Sequence, residues 1–342
     1  MTVVAKTSFK LILINVGTLM MPVITRFFMT FGLLLFTSAS LLLSAPATAD
    51  DAPTTPPAGQ RIISIGGSVT EIIYALGQEK RLVARDTTSV YPAAANQLPN
   101  VGYMRRLSPE GVLSVTPDMI IAEAGSGPQE TIDVIKEASI RFIEIPDGFD
   151  RDAVTAKIQA VAEALGVAKE GTELADKVDA KLAAAEKEAA AHEGEPKRVL
   201  FILSTRGGRV MASGTNTAAD GIIRMAGAVN AVGDFKGYKP VTNEAIIAAA
   251  PDVILMMSRR GGQSDSHSKA NDELFKMPVL ASTPAAKTQS VVRIDGLLLL
   301  GFGPRTADAV KTLNEALYGK AKSETDPKTE TETSTETETA AQ

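Results

Sequence analysis

From residue 61 onward, apolar and polar positions alternate in short blocks. Residues 61–65 (RIISI) are a brief apolar β-type run ending at Gly66-Gly67. Residues 70–76 then place Ile72, Ile73 and Leu76 at helical spacing and stop at Gly77. Residues 82–84, 119–122 and 141–145 predict three further buried strands. Residues 129–138 and 151–165 predict helices, the second ended by Gly166. Short strands alternating with helices imply a mainly parallel α/β sheet.

Residues 168–192 are rich in Ala, Lys and Glu and hold no Pro, which predicts one long helix with Gly171 as a weak point near its start. Such a helix spans roughly 35 Å, enough to cross from one lobe to another. After Gly194 and Pro196 the pattern restarts, with strands over 198–203, 253–257 and 291–294 and helices over 220–225 and 306–317. The halves also share a repeat. Residues 107–121 read LSPEGVLSVTPDMII and residues 241–255 read VTNEAIIAAAPDVIL: a Glu, apolar pairs, Pro-Asp seven residues on, then a strand. This predicts two similar lobes, at 61–166 and 196–320, joined by a helical connector at 167–195. The competing reading is chance likeness between two common helix–Pro-Asp–strand units.

The ends differ in kind. Residues 31–45 (FGLLLFTSASLLLSA) follow Arg26 and precede Ala47-Thr48-Ala49, the pattern of a secretory signal over residues 1–49 cleaved after Ala49. A membrane anchor is the alternative, but the run falls short of about 20 apolar residues and lacks a basic stop. The earlier apolar stretch 11–24 lengthens this leader and leaves Met21 and Met29 as alternative starts. Residues 50–60 are a Pro-rich flexible lead-in, and the Thr/Glu tail 321–342 has too little apolar surface to fold.

Net charge is −5; the leader holds three cations and no acid, which leaves −8 on the rest. No basic field is present to attract nucleic acid. Zero Cys excludes disulfides, thiolate nucleophiles, iron–sulfur clusters and a lipid-bearing N-terminal Cys. The two His, His192 and His267, stand far apart, which argues against a His-rich metal site. There is no G-x-S-x-G elbow, no G-x-G-x-x-G after the first strand and no evident His base, so an enzyme is not expected.

The segments RIISIGGSVTEIIYALG, DTTSVYP, LPNVGYMRRLSPEGVLS and GFGPRT together resemble the substrate-binding proteins of cobalamin, siderophore and haem ABC importers, over residues 60–318. Within that group they are most similar to periplasmic haem-binding proteins. The resemblance implies two Rossmann-like α/β lobes on a rigid connecting helix, with the ligand in the cleft between them. It implies a periplasmic monomer that carries haem b as cargo to an inner-membrane permease dimer. Cobalamin or a ferric siderophore is the alternative ligand.

The resemblance makes Tyr91, in Ser89-Val90-Tyr91-Pro92, the axial ligand of ferric haem iron. Tyr91 is otherwise an ordinary lip aromatic beside Pro92. A free Tyr has a pKa near 10, so a cation must favour the anion, either the iron itself or Arg85 six residues earlier. Tyr103 is a pocket wall, a ring-stacking partner or core. Haem propionates call for guanidinium donors, for which Arg105, Arg106, Arg259 and Arg260 are candidates. Met257 is strand core or pocket wall, and Arg305 follows the Gly301–Pro304 turn. His267, in a polar loop, is a second iron ligand or simply solvated; His192 is assigned no role. Glu110 and Glu244, at matching places in the repeat, are expected to dock on permease arginines, and each also compensates a helix dipole.

Overall fold

A computed structural model describes residues 59–258 and 264–319; of the side chains of 264–269 nothing is described. The leader, the lead-in 50–58, Arg259, Arg260, the His267 side chain and the acidic tail therefore lie outside what is described.

The first lobe comprises β1 (Ile62–Ile65), α1 (Gly67–Ala75), β2 (Leu82–Arg85), α2 (Pro109–Leu113), β3 (Met119–Glu123), α3 (Gln129–Glu137), β4 (Arg141–Ile145) and α4 (Arg151–Leu165). Its four-stranded sheet runs β2-β1-β3-β4, and every pairing is parallel. All four residues of β1 are buried, as expected for a strand covered on both faces. Order reverses between β1 and β3, which makes their carboxyl ends the natural place for a ligand crevice.

The connector α5 (Ala168–Ala190) is a helix of 23 residues. Gly171 is not a weak point but a close-packing position. A Cβ there would stand 2.2 Å from the Cβ of Ala162, so the missing side chain lets α5 lie tightly on α4.

The second lobe follows with β5 (Arg198–Ser204), β6 (Val210–Ser213), α6 (Ala218–Met225), β7 (Val229–Asn230), β8 (Tyr238–Val241), α7 (Asn243–Ala249), β9 (Val253–Ser258), α8 (Ser264–Phe275), α9 (Pro278–Ala281), α10 (Pro284–Lys287), β10 (Val291–Asp295), α11 (Gly296–Leu300) and α12 (Thr306–Tyr318). Its sheet runs β10-β9-β5-β6-β8 with β7 beside β5. Strands β10, β9 and β5 are parallel, but β6 and β8 join antiparallel, a margin that the apolar pattern does not predict. The reason is local: β8 is an exposed edge carrying Lys239 and Pro240, so it lacks a buried stripe. The expected loop around His267 is also corrected, because residue 267 lies in α8. No Gly or Pro interrupts residues 264–275.

One apolar core runs from β1 and α1 through α4 and α5 to α6 and α12. All described residues belong to one compact unit. Among them no helix is long and apolar enough to cross a membrane.

Candidate functional site: the cleft between the lobes

The β1–α1 turn sets the first wall of the cleft. Gly66 has φ 108°, and a Cβ there would meet Glu123 Oε2 at 2.6 Å. Gly67 leaves room for Leu297, whose Cδ1 would lie 2.4 Å from an added Cβ. These two glycines let β3's terminal carboxylate and a side chain from the second lobe approach the backbone.

The next loop is pinned by Asp86. Its carboxylate is fully buried and accepts from Gly66 N (3.1 Å), Thr88 N (2.9 Å), Thr88 Oγ1 (2.8 Å) and Ser89 Oγ (2.6 Å). Thr70 Oγ1 lies 2.6 Å from Ser89 Oγ and ties the same loop to α1. This network fixes the loop in which Val90 lines the cleft; Tyr91, the next residue, is 41% exposed and is not among the lining residues.

The guanidinium on Tyr91 comes from Arg305, not Arg85. Arg85 is buried and donates to the carbonyls of Ala95 (3.2 Å) and Asp86 (3.0 Å), so it braces the loop that carries Tyr91. Arg305 places Cζ 3.5 Å from the Tyr91 ring centroid. Its Nη2 donates to Glu71 Oε2 at 2.8 Å and its backbone N to Glu71 Oε1 at 3.2 Å. Glu71 sits on α1 and Arg305 just before α12, so the pair clasps the lobes beside the cleft. Arg305 Nε is buried without a hydrogen-bond partner, and the π face of Tyr91 is the contact that offsets this.

The cleft itself measures about 750 Å³, within the usual range of small-molecule sites. Tyr103, Met104 and Arg105 line it from the first lobe; Leu203, Tyr238, Met257, Leu297 and Leu300 line it from the second. Met257 supports Gly296, where a Cβ would meet its sulfur at 3.1 Å. Arg106 is exposed and outside this lining. Glu110 and Glu244 lie away from it, both exposed, each the second residue of its helix. The helix caps match as well: Ser108 Oγ accepts from Gly111 N at 3.1 Å, and Thr242 Oγ1 from Ala245 N at 3.2 Å.

Two features escape the sequence reading. Tyr238, on edge strand β8, presents a second phenol to the cleft beside Tyr103. Burial pushes its pKa up; hydrogen bonds with Thr217, the Ala219 backbone and Ser213, and the charge of Arg105, oppose that shift without cancelling it. The Gly237-Tyr238 pair has the form of Gly102-Tyr103, but polar neighbours conceal the strand. The other is Lys157, fully buried behind the cleft wall and paired to Glu123 and Asp147. A cation between Val154 and Val161 on an apolar stripe was its visible trace.

The chain is similar to proteins of known structure. It is 41% identical to the periplasmic heme-binding protein BhuT in complex with two hemes, covering 75% of this chain and 97% of that one, with a TM-score of 0.70. It is 39% identical to apo periplasmic heme-binding protein RhuT from Roseiflexus sp. RS-1, covering 76% and 98%, TM-score 0.70. Among curated relatives it is 26% identical to the uncharacterized ABC transporter substrate-binding lipoprotein YvrC of Bacillus subtilis (80% and 86% covered). It is 28% identical to the vitamin B12-binding protein of Pectobacterium atrosepticum (65% and 77%). The periplasmic binding protein family profile matches residues 62–297. With its paired α/β lobes, helical connector and interlobe cleft, the chain belongs to the periplasmic binding protein family of substrate-binding proteins.

Proposed function

We propose that this protein captures ferric haem in the interlobe cleft, with Tyr91 as axial ligand, and delivers it to the permease of an ABC importer. The observation that carries this reading is the Tyr91 ring under the Arg305 guanidinium at 3.5 Å, on the residue that follows Val90, itself part of a cleft walled by Leu, Met and Tyr. A phenolate is a hard anionic donor suited to ferric iron. A cation over the ring is a favourable partner for the charge that ligation places there. Tyr103 and Tyr238 serve as walls against the porphyrin, since burial favours the neutral form of the Tyr238 phenol.

Arg105 receives a propionate, with Arg106, Arg259 and Arg260 as further donors outside the described lining. Glu110 and Glu244 dock on the permease: the repeat presents two exposed carboxylates from equivalent capped helices. Residues 1–49 act as the secretory signal that brings the mature chain to the periplasm. The names of the structural relatives favour haem over cobalamin, which the more distant vitamin B12-binding relatives bring in as the second reading.

Absorption titration of the mature protein with haemin and with cyanocobalamin tests this. The expected result is a saturable Soret band with phenolate charge-transfer bands, lost in Tyr91→Ala and retained in Tyr103→Ala and Tyr238→Phe. Saturable binding of cyanocobalamin with no haemin spectrum would overturn it.

A further inference from the structure

We propose that Lys157 is a positioning residue that sets the charge of the cleft floor and thereby admits an anionic ligand. The inference rests on the haem reading above and adds a residue that never touches the ligand. Lys157 projects from α4 and its side chain is 0% exposed. Its Nζ lies 2.6 Å from Glu123 Oε1, 3.2 Å from Asp147 Oδ1 and 3.4 Å from Ser68 Oγ. An ammonium has three donors and no acceptor, and three oxygens meet it here.

Those three oxygen-bearing residues line the cleft, whereas Lys157 lies behind them. They come from three elements: Ser68 from α1, Glu123 from the end of β3, and Asp147 from the segment after β4. The carboxylate side chains keep 14% and 30% of their exposure, so each turns part of its surface toward the ligand space. Two carboxylates over one ammonium leave a single net negative charge on this wall. Without the ammonium the wall carries two, in a setting where charges interact more strongly than in bulk water. Ferric haem brings two carboxylates of its own, so a doubly acidic wall opposes its entry. A neutral ligand of the same shape does not meet that repulsion.

The test compares haemin with haemin dimethyl ester, the same iron porphyrin without acid groups, on the full mature protein. In Lys157→Met, haemin affinity is expected to fall about tenfold while the diester changes no more than about twofold, as Coulomb repulsion requires. The double variant Lys157→Met/Glu123→Gln recovers most of the haemin loss. Glu123→Gln alone keeps Lys157 paired with Asp147, so it remains informative if Lys157→Met does not fold. It is expected to tighten haemin relative to the diester by about threefold. Equal weakening of both ligands, or a haemin-to-diester ratio unchanged across the variants, would leave Lys157 a packing residue and sink this inference alone. Wild-type protein that binds neither porphyrin would overturn the haem reading and this inference with it.

Discussion

The first lobe is a four-stranded, wholly parallel sheet, while in the second lobe the parallel strands β10, β9, β5 and β7 are joined by the antiparallel pair β6 and β8. What the lobes have in common is the capped helix, Pro-Asp and buried strand at 108–123 and 242–258. What they do not share is the equipment of the cleft. The first lobe supplies the Asp86-pinned loop, Tyr91 and the Lys157 wall. The second supplies Tyr238 from its added edge, and the segment 296–305 that leans across onto α1. The shared unit thus carries the outward carboxylates, whereas the lining of the cleft comes largely from where the lobes differ. A twofold-related partner can read the repeat; an asymmetric ligand requires unlike walls.

The comparison breaks most easily at the clasp. Glu71 is 5% exposed and pairs with Arg305 of the other lobe. Glu71→Ala leaves that cation partly buried and unpaired, and is expected to lower stability by about 3 kcal/mol in denaturant unfolding. Lobes that behaved independently across this contact would show less than about 1 kcal/mol, as an exposed pair does.

A smaller effect sharpens the repeat itself. Ser108→Ala and Thr242→Ala each remove a single cap hydrogen bond, and each is expected to lower stability by about 1 kcal/mol. Equality within error supports equivalent units; a loss at one site alone, followed by thermal unfolding, contradicts it.

The smallest effect distinguishes the phenols. Burial raises the pKa of Tyr238, so folding favours its neutral form. That contribution to stability is present below the ordinary value of about 10 and is lost as pH climbs through the raised one. Ultraviolet titration should show a late-ionising phenol that is missing in Tyr238→Phe, whereas an unchanged curve would reject the assignment.

Much of the scaffold was legible. The predicted helix at 151–165 matches α4, because apolar residues at helical spacing and a closing Gly166 leave few alternatives; the predicted strand at 141–145 matches β4, although as a sheet edge it is only partly buried rather than buried as expected. The start of α1 lies three residues before its predicted position, since Gly67-Ser68-Val69 become helical only against the loops that cover them. Strands β6 and β8 were invisible: β8 is an edge holding Lys and Pro that draws its stability from a neighbour, and the four residues of β6, though mostly buried, are too short a mixed run to mark a strand.

The site divides in the same way. Local chemistry, with its apolar period, turn residues, caps and lack of Cys, determined the α/β class, the repeat and the short loop that presents Tyr91. Only tertiary structure decided which cation lies on that ring: Arg85 is six residues away in the chain and turns to backbone carbonyls, whereas Arg305 arrives from the far end. It also decided that Lys157 faces Glu123 and Asp147, and that Tyr238 faces the cleft. The physical reason is that hydrogen-bonded periodicity acts over a few residues and can be read along the chain. Coulomb and π contacts depend on distance in space, which exists only once the lobes have packed.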